Sequence, residues 1–237
     1  MKAMILAAGR GTRLRPLTDH SPKALVEVGG RTLLQIALQR IASFGVRDVI
    51  INVHHFADSI VEYLQKNHNF GLGIEISREE VLLDTGGGLK KASWFFAGDS
   101  EPFLLHNVDV ISTIDLRRMV QFHQEHQALA TLAVQARKTS RSLLFDQQGQ
   151  LRGRREGVVP PGMDALAFSG IHVISPRLLG MITEEGVFSI VDSYCRLAVQ
   201  GERILAFRAD QYYWQDLGKP ENLVQTEKDI QSGKVQL

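Results

Sequence analysis

The ten residues Gly9-Arg10-Gly11-Thr12-Arg13-Leu14-Arg15-Pro16-Leu17-Thr18 follow an apolar opening run and combine two features that suit a polyphosphate. Glycines let backbone N–H groups turn toward a ligand with no Cβ in the way, as in phosphate-holding nests. Arginine adds a fork that meets phosphate oxygens in pairs. Residues 1–23 hold five basic side chains (Lys2, Arg10, Arg13, Arg15, Lys23) against one acid, Asp19, in a chain whose formal net charge is +1. Positive charge is therefore gathered at this loop. The spacing is not that of the dinucleotide fingerprint, whose third glycine is replaced by Leu14, and no Lys-Ser/Thr follows the last glycine as in a P-loop. A strand-to-helix turn with solvated arginines would use the same residue types.

Three further stretches carry candidate chemistry. Asp84-Thr85-Gly86-Gly87-Gly88 precedes a helix expected from about Leu89, where free N–H groups and the positive end of a helix dipole would meet an anion; a helix cap is the plainer use. Leu104-Leu105-His106-Asn107-Val108-Asp109-Val110 is an apolar strand ending in a carboxylate, which alone reads as a turn residue. Phe168-Ser169-Gly170-Ile171-His172-Val173 has a glycine inside a strand, a mark of close approach. Adjacent His54 and His55 point to opposite faces of an extended chain, so they predict one packed and one solvated imidazole and no shared metal.

The elements that must position these residues alternate in type. Strands are expected over 2–7, 48–53, 74–76, 102–110, 128–134, 165–174, 204–208 and 212–217. Helices are expected over 33–44, 58–64, 89–96, 115–126, 190–199 and from Pro220, from apolar spacing and stop signals. Residues 142–146 and 150–154 flank Gln147-Gln148-Gly149 as a hairpin. Alternation predicts an α/β fold, a mainly parallel mixed sheet flanked by helices with a small antiparallel insertion, and the loop then lies at the carboxyl edge where such sheets bind ligands. One domain, 1–237, is expected, in two parts, 1–135 and 136–237.

At 237 residues, 44% hydrophobic and 22% charged, the composition is globular and excludes a disordered or collagen-like chain. Lys plus Arg is 27 against 26 for Asp plus Glu, which argues against a broad nucleic-acid or membrane surface. The single Cys195 forms no internal disulfide or multi-cysteine zinc site and suits a reducing compartment. With no apolar run near the ~20 residues of a membrane span and no signal-peptide core, a cytoplasmic protein is expected, as a monomer or small homo-oligomer.

Leu6-Ala7-Ala8-Gly9-Arg10-Gly11-Thr12-Arg13-Leu14-Arg15-Pro16-Leu17-Thr18, then Ser21-Pro22-Lys23-Ala24-Leu25 and Val28-Gly29-Gly30, resembles the signature of the sugar-nucleotide pyrophosphorylases, the sugar-1-phosphate nucleotidyltransferases. Within that family the chain is most similar to short members such as N-acetylmuramate-1-phosphate uridylyltransferases. The resemblance implies a Rossmann-like nucleotidyltransferase fold and a Mg²⁺-dependent condensation of a nucleoside triphosphate with a sugar 1-phosphate. It implies nucleotide contacts from Leu6, Ala7, Ala8, Gly9, Gly11, Thr12 and Arg13, a nucleobase contact from Thr85 and Gly86, and catalytic roles for Arg13, Lys23 and Asp109. It implies sugar contacts from Asn107 and Gly170 and metal ligation by Asp109 and Asp216. Two departures are Val108, where better-known members carry Gly or Ala, and the missing Glu-Lys-Pro after the hairpin, where Glu156 is followed by Gly157. Cytidylyl transfer to phosphocholine or a similar alcohol phosphate is an alternative activity, and a non-catalytic nucleotide-sugar sensor a third; the second would need an aromatic cage for its cation.

Overall fold

A computed structural model describes residues 1–236. In chain order its strands and helices are β1 (Ala3–Leu6), β2 (Glu27–Val28), β3 (Arg31–Thr32), α1 (Leu33–Ser43), β4 (Asp48–Val53), α2 (Ala57–Lys66), β5 (Gly73–Arg78) and α3 (Asp84–Lys91). They continue with β6 (Phe103–Asn107), β7 (Val110–Ser112), α4 (Leu116–Glu125), β8 (Ala130–Gln135), β9 (Ser142–Asp146), β10 (Leu151–Arg154), β11 (Met163–Ile174), α5 (Ile190–Val199), β12 (Ile204–Arg208), β13 (Trp214–Asp216) and α6 (Pro220–Gln231). The α/β class is that read from the sequence, and β4, α5 and β12 have the expected ends. No helix among the described residues is long and apolar enough to cross a membrane.

Contacts divide the chain into two compact units. The first takes Met1–Leu82, His106–Thr113 and the segment from Tyr213 onward; the second takes Leu83–Leu105 and Ile114–Tyr212. In the first unit β1, β4 and β5 run parallel, with Leu6 opposite Asn52 and Asn52 opposite Ser77. Ala3, Met4 and Ile5 are fully buried, because a parallel strand with both faces covered must be apolar on both. Helix α1 starts where the Thr32 hydroxyl accepts the Gln35 N–H at 3.1 Å. It stops before Gly45, whose φ of +88° suits a helix end. Leu33 and Ile36 on α1 join Leu14, Val26, Val28, Ile111, Leu217 and Leu223 in one apolar cluster. The second unit pairs β10 with β9, β9 with β11 and β11 with β8, all antiparallel, and β12 with β8 in parallel. The hairpin turn at Gly149 has φ +75°, and Asp146 accepts the N–H groups of Gln148 and Gln150.

Two expectations are corrected, and one ribbon was not expected. The helix placed at 89–96 begins at Asp84 and ends at Lys91, followed by a 3₁₀ turn over Ser93–Phe96. Glycine lowers the helix prior, and packing overrides it here. The strand placed at 102–110 is broken between Asn107 and Val110. Val108 donates its N–H to Leu6 O at 3.1 Å, after which the chain turns so that Val110 pairs antiparallel with Asp216. The short ribbon of β2 and β3 has no counterpart in the sequence reading; Gly29 and Gly30, with φ +57° and +73°, form its two-residue turn.

Candidate functional site: a glycine–arginine loop and two aspartates

The loop leaves the carboxyl end of β1. Ala7 and Ala8 are buried, whereas Gly9, Arg10, Thr12 and Arg13 are exposed. Among the described residues neither Gly9 nor Arg10 donates its N–H to another backbone group. A Cβ on Gly9 would meet nothing within 4 Å. Gly11 is constrained twice: its φ is +65°, and a Cβ there would lie 2.9 Å from Thr18 Cγ2 and 3.0 Å from Lys23 Cβ. Glycine is thus what lets the loop close down on the segment that carries Lys23. The bend is held from below. Leu14 is fully buried in the apolar cluster, its N–H reaches Gly11 O at 2.8 Å, and the Thr18 hydroxyl donates to the same carbonyl at 2.8 Å. Arg15 pairs at 3.3 Å with Asp19 and is largely exposed, a solvated ion pair of small energetic weight.

The two aspartates meet at one ribbon, Asp216 within it and Asp109 in the turn that enters it. β7 pairs antiparallel with β13, Val110 stands opposite Asp216, and the Leu217 N–H donates to Asp109 O at 2.8 Å. Residues 109 and 216 are thereby neighbours although 107 positions separate them in sequence. Lys23 donates its ammonium to Asp109 Oδ2, with only 11% and 14% of the two side chains exposed. The Asp216 carboxylate accepts the Gly218 N–H at 2.6 Å, and Asn222 Nδ2 donates to Asp216 O at 2.6 Å. A Cβ on Gly218 would lie 2.6 Å from both Arg13 Nη2 and Asp216 Oδ1, so guanidinium and carboxylate flank the same point. Gly218 is a residue that the sequence reading missed; its signal was a glycine two positions after a candidate metal ligand. The first unit therefore gathers Gly9, Gly11, Thr12, Arg13, Lys23, Asp109 and Asp216 around one ribbon and one loop.

Asn107 is half-buried at the end of β6, after His106, which is buried. Burial, and next the charge of Arg40, lowers the His106 pKa to about 4, so its imidazole is neutral at ordinary pH. His54 Nδ1 lies 2.9 Å from Glu79 O while His55 is exposed, the split expected for consecutive extended residues.

In the second unit the glycines of α3 sit inside the helix. Gly86 and Gly87 donate their N–H groups to Phe188 O at 2.9 and 3.3 Å. A Cβ on Gly86 would strike the Phe188 ring, and the Thr85 hydroxyl accepts the Ile190 N–H at 3.0 Å. This corrects the expectation of free N–H groups there: the glycines are small so that residues 186–190 can pack against α3. Gly170 has φ +73° within β11, where the register with β8 shifts. That is a bulge glycine, a position where a side chain would be strained.

A parallel sheet ending in an exposed glycine–arginine loop, beside a lysine and two ribbon-paired carboxylates, is the architecture of a nucleotide-phosphate-handling α/β protein. The chain belongs to the nucleotidyl transferase family, whose model matches residues 2–146. It is 33% identical over 232 residues to the N-acetylmuramate alpha-1-phosphate uridylyltransferase of Caulobacter vibrioides, covering 92% of each chain. It is 30% identical over 228 residues to the mannose-1-phosphate guanyltransferase of Yarrowia lipolytica, covering 94% of this chain and 62% of that one. The chain thus spans about three fifths of the fungal guanyltransferases it matches. Among solved structures it superposes on a putative glucose-1-phosphate thymidylyltransferase from Bacillus anthracis with TM-score 0.84 at 18% identity, covering 100% and 97% of the two chains. A UDP-glucose pyrophosphorylase complexed with UDP-glucose gives TM-score 0.83 at 18% identity, covering 98% of each. These likenesses show a Rossmann-like fold with a mixed, mainly parallel sheet.

Proposed function

We propose that the protein condenses a nucleoside triphosphate with a sugar 1-phosphate to give an NDP-sugar and pyrophosphate. The observation that carries the reading is the convergence of Lys23, Asp109 and Asp216 beside the exposed loop at Gly9–Arg13. An oxygen of the sugar phosphate attacks the α-phosphorus, the bond from that phosphorus to the bridging oxygen breaks, and pyrophosphate leaves with the electron pair. The attacking oxygen belongs to a phosphomonoester with a second pKa of ~6, so it is already anionic at neutral pH and needs no enzyme base. What the protein must supply is alignment and relief of like-charge repulsion.

Each residue has a part. Free N–H groups at Gly9 and Arg10 cradle the triphosphate, and Gly11, with no Cβ, lets the loop close on the segment that carries Lys23 beside it. Thr12 contacts the phosphates beside them, after the turn from Leu6 through Ala7 and Ala8. Arg13 grips phosphate oxygens as a fork, and Lys23 bridges the phosphates of both substrates as a point charge. The reading assigns the base to Thr85 and Gly86, although the Gly86 N–H is already committed to Phe188 O and the Phe188 ring fills the space a side chain there would take. The reading assigns the sugar contacts to Asn107 and Gly170; Val108, next to Asn107, is buried. The reading divides labour between 1–135 for the nucleotide and 136–237 for the sugar within 1–237.

Asp109 and Asp216 suit Mg²⁺ by chemistry: both are hard oxygen donors, Asp216 in β13 and Asp109 in the turn that enters its partner strand β7, and magnesium is commonly held by one or two carboxylates with phosphate oxygens and water completing the shell. Bound there, Mg²⁺ supplies Lewis-acid neutralisation of phosphate charge. The reading takes the protein as a cytoplasmic one with no nucleic-acid or membrane partner, working as a monomer or small homo-oligomer. Pyrophosphate release from the four triphosphates, each against a panel of sugar 1-phosphates, tests it. One productive pair is the expected result, and no release from any pair would overturn the reading.

A further inference from the structure

Asn52 does nothing in the reaction proposed above, yet it is almost fully buried where the phosphate loop begins. Its side chain is 2% exposed, on β4, directly opposite the last residue of β1. Asn52 Oδ1 accepts the Ala7 N–H at 2.7 Å, and Asn52 Nδ2 donates to Glu79 Oε1 at 2.7 Å. Glu79 is 5% exposed and is anchored by its own N–H to Val53 O at 2.8 Å. Ala7 is the first residue beyond the β1 ladder, so the carboxamide extends the pairing by one rung and fixes the direction in which the chain leaves the sheet.

An amide side chain can be placed two ways round, and its neighbours decide which. Ala7 N–H can only donate and Glu79 Oε1 accepts, so the orientation with Oδ1 toward Ala7 and Nδ2 toward Glu79 satisfies both. Resting on the reading that the loop binds a triphosphate, we propose that Asn52, oriented by Glu79, is a positioning residue that sets the exit angle of the phosphate loop. It touches no substrate and acts through the backbone at Ala7.

The pair offers a charge-conserving exchange. Asn52→Ala leaves the Ala7 N–H unanswered. Asn52→Asp restores an acceptor for it but sets two carboxylates against each other in a buried place. Adding Glu79→Gln to Asn52→Asp supplies the missing donor, so the Ala7 N–H keeps its acceptor and the hydrogen bond between residues 52 and 79 re-forms with donor and acceptor exchanged. We expect Asn52→Ala and Asn52→Asp to weaken UTP or GTP binding, whichever the wild type binds more tightly, by about tenfold, the size of one lost hydrogen bond to a buried donor. Affinity for the sugar phosphate and kcat should stay within about threefold. The double variant should recover triphosphate affinity to within about threefold of wild type. Amide exchange at Ala7 should quicken in the single variants and slow again in the double one.

Unchanged exchange at Ala7 and unchanged triphosphate affinity in Asn52→Ala, or a double variant no better than Asn52→Asp, would overturn the inference. If Asn52→Ala does not fold, the comparison of Asn52→Asp with the double variant decides alone. A wild type that binds neither triphosphate would sink the loop reading instead, and the Ala7 exchange would still judge the positioning role.

Discussion

Two glycine-rich stretches look alike on paper and behave in opposite ways. Gly9-Arg10-Gly11 is exposed, its first glycine touches nothing, and the N–H groups of Gly9 and Arg10 have no backbone partner among the described residues. Gly86-Gly87-Gly88 is buried within α3, with the first two N–H groups bonded to Phe188 O and with no room for a side chain at either of those positions. One stretch leaves backbone groups available to a ligand; the other uses smallness to let a helix and a loop approach. The same residue type therefore marks a binding surface in one place and a packing seam in the other. What separates them is the surroundings: basic residues and a buried Leu14 anchor beside the first, Phe188 and Ile190 against the second.

The contrast can be broken at several points. The largest effect is expected where charge is removed beside the first stretch. Asp109→Ala should lower turnover at least about a thousandfold by deleting a metal ligand, and Lys23→Ala about a hundredfold, measured at a temperature where each variant is folded, because either change also leaves a largely buried charge unpaired. Near-normal rates from either variant in a pyrophosphate-release assay would contradict the assignment. Next, Gly86→Ala should cost about 3 kcal/mol or more, measured by urea unfolding, because the added methyl strikes the Phe188 ring inside a packed seam.

A third test reads burial in the second unit through pH. Burial lowers the His123 pKa from 6.5 to about 4, and its Nδ1 sits 3.0 Å from Thr131 Oγ1. The unfolded chain binds that proton at higher pH than the folded one. The contribution of neutral His123 is therefore whole above pH 6.5 and declines as pH falls toward 4, by up to about 3 kcal/mol. The destabilisation caused by His123→Phe should accordingly shrink between pH 7.5 and 4.5 in urea titrations; a pH-independent difference would speak against it. The smallest stability effect belongs to Gly9→Ala, within about 0.5 kcal/mol of wild type because a Cβ there meets open space. That same substitution should still raise KM for the triphosphate several-fold, since the methyl group faces the proposed phosphate path.

Most of the fold was legible from pattern. Period and punctuation located β1, α1, β4, α5 and β12 because each is a strongly apolar run or stripe ended by a clear stop. The site was legible where residue type itself announces chemistry, as at Arg13 and Lys23, and the aspartates were legible only through the resemblance that singled them out. Three things were not readable. That α3 includes its glycines depends on Phe188, about a hundred positions away. That Val108 and Asp109 form a turn between two strands depends on pairing of Val110 with Asp216. That Asn52 matters depends on Ala7 and Glu79 meeting it from two other segments. Each is a long-range contact, and local spacing holds no record of such contacts.

The central claim is that the loop after β1 holds the triphosphate through its own backbone. Amide hydrogen exchange with and without Mg²⁺ and the tightest-binding nucleoside triphosphate tests it most directly. The N–H groups of Gly9 to Thr12 should pass from fast to slow exchange on binding, while those of Gly86 and Gly87, already bonded to Phe188, should be slow in both states. Exchange at Gly9 to Thr12 that is untouched by a bound triphosphate would contradict the account.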